Sequence, residues 1–193
     1  MRSRAGVRVV LASLAILAVT AAAQTGIYVA TGSVALLADL IHNAGDALTA
    51  VPLGAAFILR SPTAERRAGI AVVLTILASA IGAAAFATLR IVHPLAPTHL
   101  LALALAGVAG VVGNTVAARV RLDGGRRLKS PALIADGNHA RSDAIVSAGV
   151  ILSAIVVALG APVADPIIGL IITALILHIT WESWRTVRDH DGQ

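Results

Sequence analysis

The 193-residue chain has no cysteine, which excludes disulfides and thiolate ligands, so any metal it holds must sit on nitrogen and oxygen. Charge is scarce as well. Asp, Glu, Lys and Arg together make up 13% of residues, about half the share usual in a soluble domain. There is no glycine-rich nucleotide loop ending in Gly-Lys-Ser/Thr, and no His-Glu-x-x-His, the usual signature of a zinc hydrolase. What fills the chain instead is apolar: 58% of residues are hydrophobic, the composition of an integral membrane protein.

The apolar residues fall into six stretches, at 8–30, 33–59, 68–90, 99–119, 131–160 and 163–184. Each is near the ~20 residues that cross ~30 Å of hydrocarbon as a helix. The expected fold is therefore an all-α membrane protein, a single transmembrane domain over 1–193. AAAQ near Ala23 imitates a signal-peptide cleavage site, but losing the first stretch would leave five spans. Pro52 is expected to kink the second helix, because it cannot donate to Leu48. Gly107, Gly110 and Gly113 allow close helix approach in the fourth, where Asn114 reads as interhelical hydrogen-bonding glue. Arg119 to Lys129 reads as a basic linker, and Trp181 and Trp184 as interfacial anchors of the last helix.

Orientation follows from the cations. Of 15 Lys and Arg, 13 lie at the two ends or in the 60–67 and 119–129 segments, which fall on one side of a six-span layout. Arg90 alone marks the other side, and Arg141 lies within a span. By the positive-inside rule both termini are cytoplasmic, and the net charge of +5 is a topology signal and not a nucleic-acid patch.

One pattern occurs twice. Residues 33–47 read SVALLADLIHNAGDA and residues 130–144 read SPALIADGNHARSDA, identical at eight of fifteen positions. Both contain A-D-x-x-H-x-x-x-D. On a helix the His and the second Asp stack on one face, and the first Asp lies one turn earlier. Each copy occupies the second helix of a three-helix half, so the halves have opposite orientation, an inverted repeat of the kind transporters use around a midplane site. His42 and Asp46 lie about 14 and 20 Å into their helix, and His139 and Asp143 about 12 and 18 Å into theirs. With the helices antiparallel, His42 is level with Asp143 and His139 with Asp46. These four side chains form the candidate site for a divalent metal, with Asp39 and Asp136 around it or along the pathway. Ionised groups at this depth cost at least ~2.5 kcal/mol each, so their use as mere helix glue is a poor account. Arg141, on the face opposite His139, is expected as a buried ion-pair partner of Asp39, Asp136 or Asp165. His93, His99 and His178 read as interfacial, and His190 as part of a polar tail.

At this point the residues resemble a known family. TGSVALLADLIHNAGDAL, ADGNHARSDAIVSAGVIL and DPIIGLIITALIL are similar to the membrane domain of the cation diffusion facilitators, from about Thr31 to Trp184. The resemblance implies six transmembrane helices, a homodimer in a prokaryotic cytoplasmic membrane, and export of zinc or related divalent ions in exchange for protons. It also implies that His42, Asp46, His139 and Asp143 are the transport-site ligands. Family members usually continue into a cytoplasmic metal-binding domain, so this chain is expected to be a form without it, and its linker has no His-rich run.

Two imidazoles and two carboxylates without thiolate suit tetrahedral Zn²⁺, whereas Mg²⁺ and Ca²⁺ prefer all-oxygen sites. Co²⁺, Fe²⁺, Ni²⁺ and Cd²⁺ also accept imidazole. The metal is cargo, and no catalytic cofactor is expected. An intramembrane metallohydrolase is the contrasting class, but four protein ligands leave no position for a catalytic water. A non-transporting metal-sensing subunit is the other alternative. Because metal ligands bind only when deprotonated, proton exchange is the natural energy source in a chain without a nucleotide loop, with the halves rocking about Pro52.

Overall fold

A computed structural model describes residues 2–45, 62–93, 95–129 and 131–189. Among them the chain is helical apart from short connections, with no strand. The helices are α1 (Arg2–Thr31), α2 (Val34–Gly45), α3 (Pro62–Val92), α4 (Leu100–Leu128), α5 (Pro131–Ala158) and α6 (Ala164–Asp189). Hydrocarbon offers no partner to a free N–H or C=O, so runs of Ala, Leu, Ile and Val must pair their backbone within the segment, and only the helix does so locally. Pro62 and Pro131 stand at first helical positions, where the missing N–H costs nothing. Ser33 caps α2, its Oγ accepting the Leu36 N–H at 3.1 Å.

Burial is inverted relative to a soluble protein. Large apolar side chains such as Val29, Leu101, Ile145 and Leu159 face outward, whereas Gln24, Asp39, Asn114, Ser147 and Asp165 are buried. A lipid solvent explains both halves of this pattern: apolar surface needs no shelter from it, and polar groups do. The core between helices is built of small and aliphatic residues, among them Ala35, Leu36, Ala106, Val150 and Ile172. The chain is an all-α integral membrane protein. Among the described residues α1, α4 and α5 are long and apolar enough to cross a bilayer, and α2, α3 and α6 contribute shorter apolar stretches.

α1 packs on α4, α3 on α6, and α5 on both α4 and α6. The first two pairs join equivalent members of the two sequence halves, so the halves interleave instead of sitting side by side. Contacts between α2 and α5 run with residue numbers in opposite directions: His42 meets Asp143, and Asp39 meets Ser147. The two motif helices are antiparallel, as an inverted repeat requires.

One expectation changes. Residues 119–128 are not a linker but the last turns of α4, which extends to Leu128. The paired glycines survive inside that helix because a Cβ on Gly124 would lie 2.7 Å from Val9, and one on Gly125 would lie 3.0 Å from the Ile134 backbone nitrogen. Close packing against α1 and α5 outweighs the poor helix propensity of glycine. Pro52, the expected kink and hinge, lies outside the described residues, as do Leu48 and His190.

Candidate metal centre

The two motif copies meet at His42 and Asp143. His42 Nε2 lies 2.9 Å from Asp143 Oδ1, and both side chains are buried. His139, one turn before Asp143 on α5, places its Nε2 3.8 Å from the same oxygen. The two imidazoles stand edge to face, with centroids 6.2 Å apart. Two ligand atoms on one tetrahedral zinc, each about 2.0 Å from it, are themselves about 3.3 Å apart. The distances of 2.9 and 3.8 Å bracket that value. Asp46, the fourth expected ligand, lies outside the described residues. Among the described residues no three His, Asp or Glu side chains form a ready-made metal-holding group. The arrangement is a His–Asp hydrogen bond with a second imidazole alongside. His139 is about a third exposed, so the cluster opens on its side.

Asp39 is completely buried and accepts at both oxygens, from Gln24 Nε2 at 2.7 Å and Ser147 Oγ at 2.8 Å. Its counterpart Asp136 is half-buried and pairs with Arg121, whose Nε lies 3.1 Å from Oδ2 and also donates to Ser13 Oγ at 3.0 Å. Asp165, from α6, receives Ser33 Oγ, the Val34 N–H and Ser153 Oγ, and so holds the start of α2.

These partners correct the expectation for Arg141. It lies on an exposed face of α5, and the buried ion-pair role falls to Arg121. Asp39 and Asp165 take neutral donors instead, because hydroxyls and amides satisfy a carboxylate's lone pairs without burying a second charge. Asn114 does bond between helices, donating to Asn43 Oδ1 at 3.1 Å and Ser147 Oγ at 3.3 Å. His93, His99 and His178 are exposed. Sequence reasoning passed over Gln24, Asn43 and Ser147. The available signal was weak: Gln24 is a rare amide in an apolar span, Asn43 adjoins His42, and Ser147 falls one turn after Asp143.

Comparison with known proteins agrees with this architecture. The profile of the cation efflux transmembrane domain matches residues 10–189. A protein named "probable cation efflux system protein", found in two strains of Mycobacterium tuberculosis, is 48% identical over 95% of the chain and 58% of its own length. The magnetosome protein MamB of Magnetospirillum gryphiswaldense is 30% identical over 79% of the chain and 55% of its own length. The chain thus spans somewhat more than half the length of these relatives. Profile, identity over nearly the whole chain, and the buried helical architecture agree: the chain belongs to the cation efflux family, of which it carries the transmembrane domain.

Proposed function

We propose that the protein moves divalent metal ions out of the cytoplasm, with Zn²⁺ as preferred cargo and protons as the counter-ion, and that His42, Asp46, His139 and Asp143 are the ligands. The observation that carries this reading is the His42–Asp143 contact, which joins residues 101 positions apart, one from each motif copy, deep in a lipid-facing bundle. A hydrogen-bonded His–Asp pair holds a proton where a metal would bind. Metal and proton compete for the same lone pairs, so entry of one releases the other. Imidazole and carboxylate without thiolate favour Zn²⁺ over hard cations. The remaining readings form one picture: six spans, cytoplasmic termini and a homodimer in the membrane plane. The family supports transport over an intramembrane hydrolase, and flux separates transport from a metal-sensing role.

The test uses purified protein in lipid vesicles, with a pH dye and a metal dye read in parallel. An inward proton gradient drives Zn²⁺ outward, and imposed Zn²⁺ flux moves protons the other way. Metal movement at full rate with no proton counterflow would leave a facilitated channel as the better account, and absence of flux would favour the sensing subunit. Reporter fusions at Gln193 and in the 94–97 loop are expected on opposite sides of the membrane; the same side for both sinks the topology.

A further inference from the structure

Beside the His42–Asp143 pair runs a closed circuit of five side chains. Gln24 Nε2 donates to Asp39 Oδ2, and Gln24 Oε1 accepts from Asn43 Nδ2 at 3.3 Å. Asn43 Oδ1 accepts from Asn114 Nδ2, which also donates to Ser147 Oγ, and Ser147 Oγ donates to Asp39 Oδ1. Gln24 Nε2 further reaches the Ala106 carbonyl at 3.3 Å. All five side chains are buried, none more than 3% exposed.

The circuit has a direction. Starting at the Asn114 amide, one arm runs through Asn43 and Gln24 and the other through Ser147, and both end on the two oxygens of Asp39. Donors aligned head to tail polarise one another, so such a chain is stronger closed than as separate bonds. It also joins α1, α2, α4 and α5 at the level of the site, across both sequence halves. Apolar packing between helices tolerates a small slide, whereas a closed ring of directional hydrogen bonds resists one. α4 comes close enough to complete it because position 110 is glycine: a Cβ there would lie 2.6 Å from Ser147 Oγ and 2.8 Å from Gln24 Nε2.

We propose that the Gln24–Asp39–Asn43–Asn114–Ser147 ring sets the register of α2 against α5, and so the separation of His42 and Asp143, with Asp39 as the positioning residue on which the ring closes. This rests on the reading of His42 and Asp143 as ligands. Asp39 is three residues before His42, Asn43 directly follows it, and Ser147 is one turn after Asp143, so the ring brackets His42 on α2 and flanks Asp143 on α5. Only a carboxylate can accept at both ends. Asparagine would turn an N–H₂ either toward Gln24, which cannot reverse its amide without losing Asn43 and Ala106, or toward Ser147, whose hydroxyl would then accept and lose its own donation into the ring.

The experiment measures Zn²⁺ binding by calorimetry, Cd²⁺ competition and thermal unfolding on the full chain in lipid nanodiscs. The variants are Asp39→Asn, Ser147→Ala and each combined with His42→Ala. Zn²⁺ Kd is expected to rise about tenfold in Asp39→Asn, in the range for groups that orient metal ligands. Ser147→Ala, which removes the donor to Asp39 and the acceptor for Asn114 but leaves the carboxylate and its Gln24 bond, raises it less, and the Zn²⁺ to Cd²⁺ preference shifts in both. In the His42→Ala background the ring substitutions change Kd no further. A ring that only stabilised the bundle would lower the unfolding temperature and leave Kd and preference as in wild type. That result, with binding weakened in His42→Ala, overturns the ring proposal alone. Unchanged binding in His42→Ala overturns the ligand reading and the ring proposal with it.

Discussion

The two copies of A-D-x-x-H-x-x-x-D occupy opposite environments. In α2 the Asp and His, Asp39 and His42, are both buried, and Asp39 is held by an amide and a hydroxyl. In α5 the corresponding Asp136 and His139 are each about a third exposed, and Asp136 is held by the guanidinium of Arg121. The difference shows that two copies with the same spacing and donor types can sit in different surroundings. The α2 copy is locked into the polar ring, while the α5 copy presents a charged, accessible flank. Asp143 belongs to both worlds, since it lies near both histidines.

Four measurements bear on this contrast, from the largest effect to the smallest. Asp143→Ala removes the oxygen that both imidazoles approach, so Zn²⁺ flux in vesicles is expected to fall to the level of protein-free membranes. Residual flux near wild type would remove Asp143 from the site. His42→Asp exchanges nitrogen for a harder oxygen and adds negative charge, which relaxes the preference for Zn²⁺ over other divalent ions in competition assays. Unchanged preference and full rate would mean that His42 does not touch the ion.

The third measurement compares the paired aspartates. Asp39→Asn is expected to weaken Zn²⁺ binding about tenfold, whereas Asp136→Asn, on the exposed flank, shifts it by less than about threefold, the low side of what outer groups contribute. Equal shifts would erase the asymmetry between the copies. The smallest effect concerns stability. Gly110→Ala drives a methyl into Ser147 and Gln24 and is expected to cost about 1–3 kcal/mol in unfolding experiments in nanodiscs, the usual range for overpacking. Gly26→Ala meets nothing within 4 Å and gains helix propensity, so it should be neutral or stabilising. Equal losses at both positions would mean that the close approach at Gly110 is not required.

Much of this protein follows from sequence alone. Membrane residence, helical structure and the antiparallel pairing of the motif helices come from composition, segment length and an odd number of helices per half. Hydrocarbon imposes so few backbone solutions that local sequence is enough. The level match of His42 and Asp143 was also legible, because rise per residue converts position into depth. Only tertiary structure decided which polar groups meet across helices. Arg119 to Lys129 reads as a loop by charge, yet Arg121 is buried on α4 against Asp136 because α5 supplies its partner. Gln24, Asn43 and Ser147 carry no signature of their own, and they form a ring only because Gly110 lets α4 reach them. Spacing along one helix is a local property. Closure of a hydrogen-bonded circuit depends on the relative rotation and approach of four helices, which packing determines.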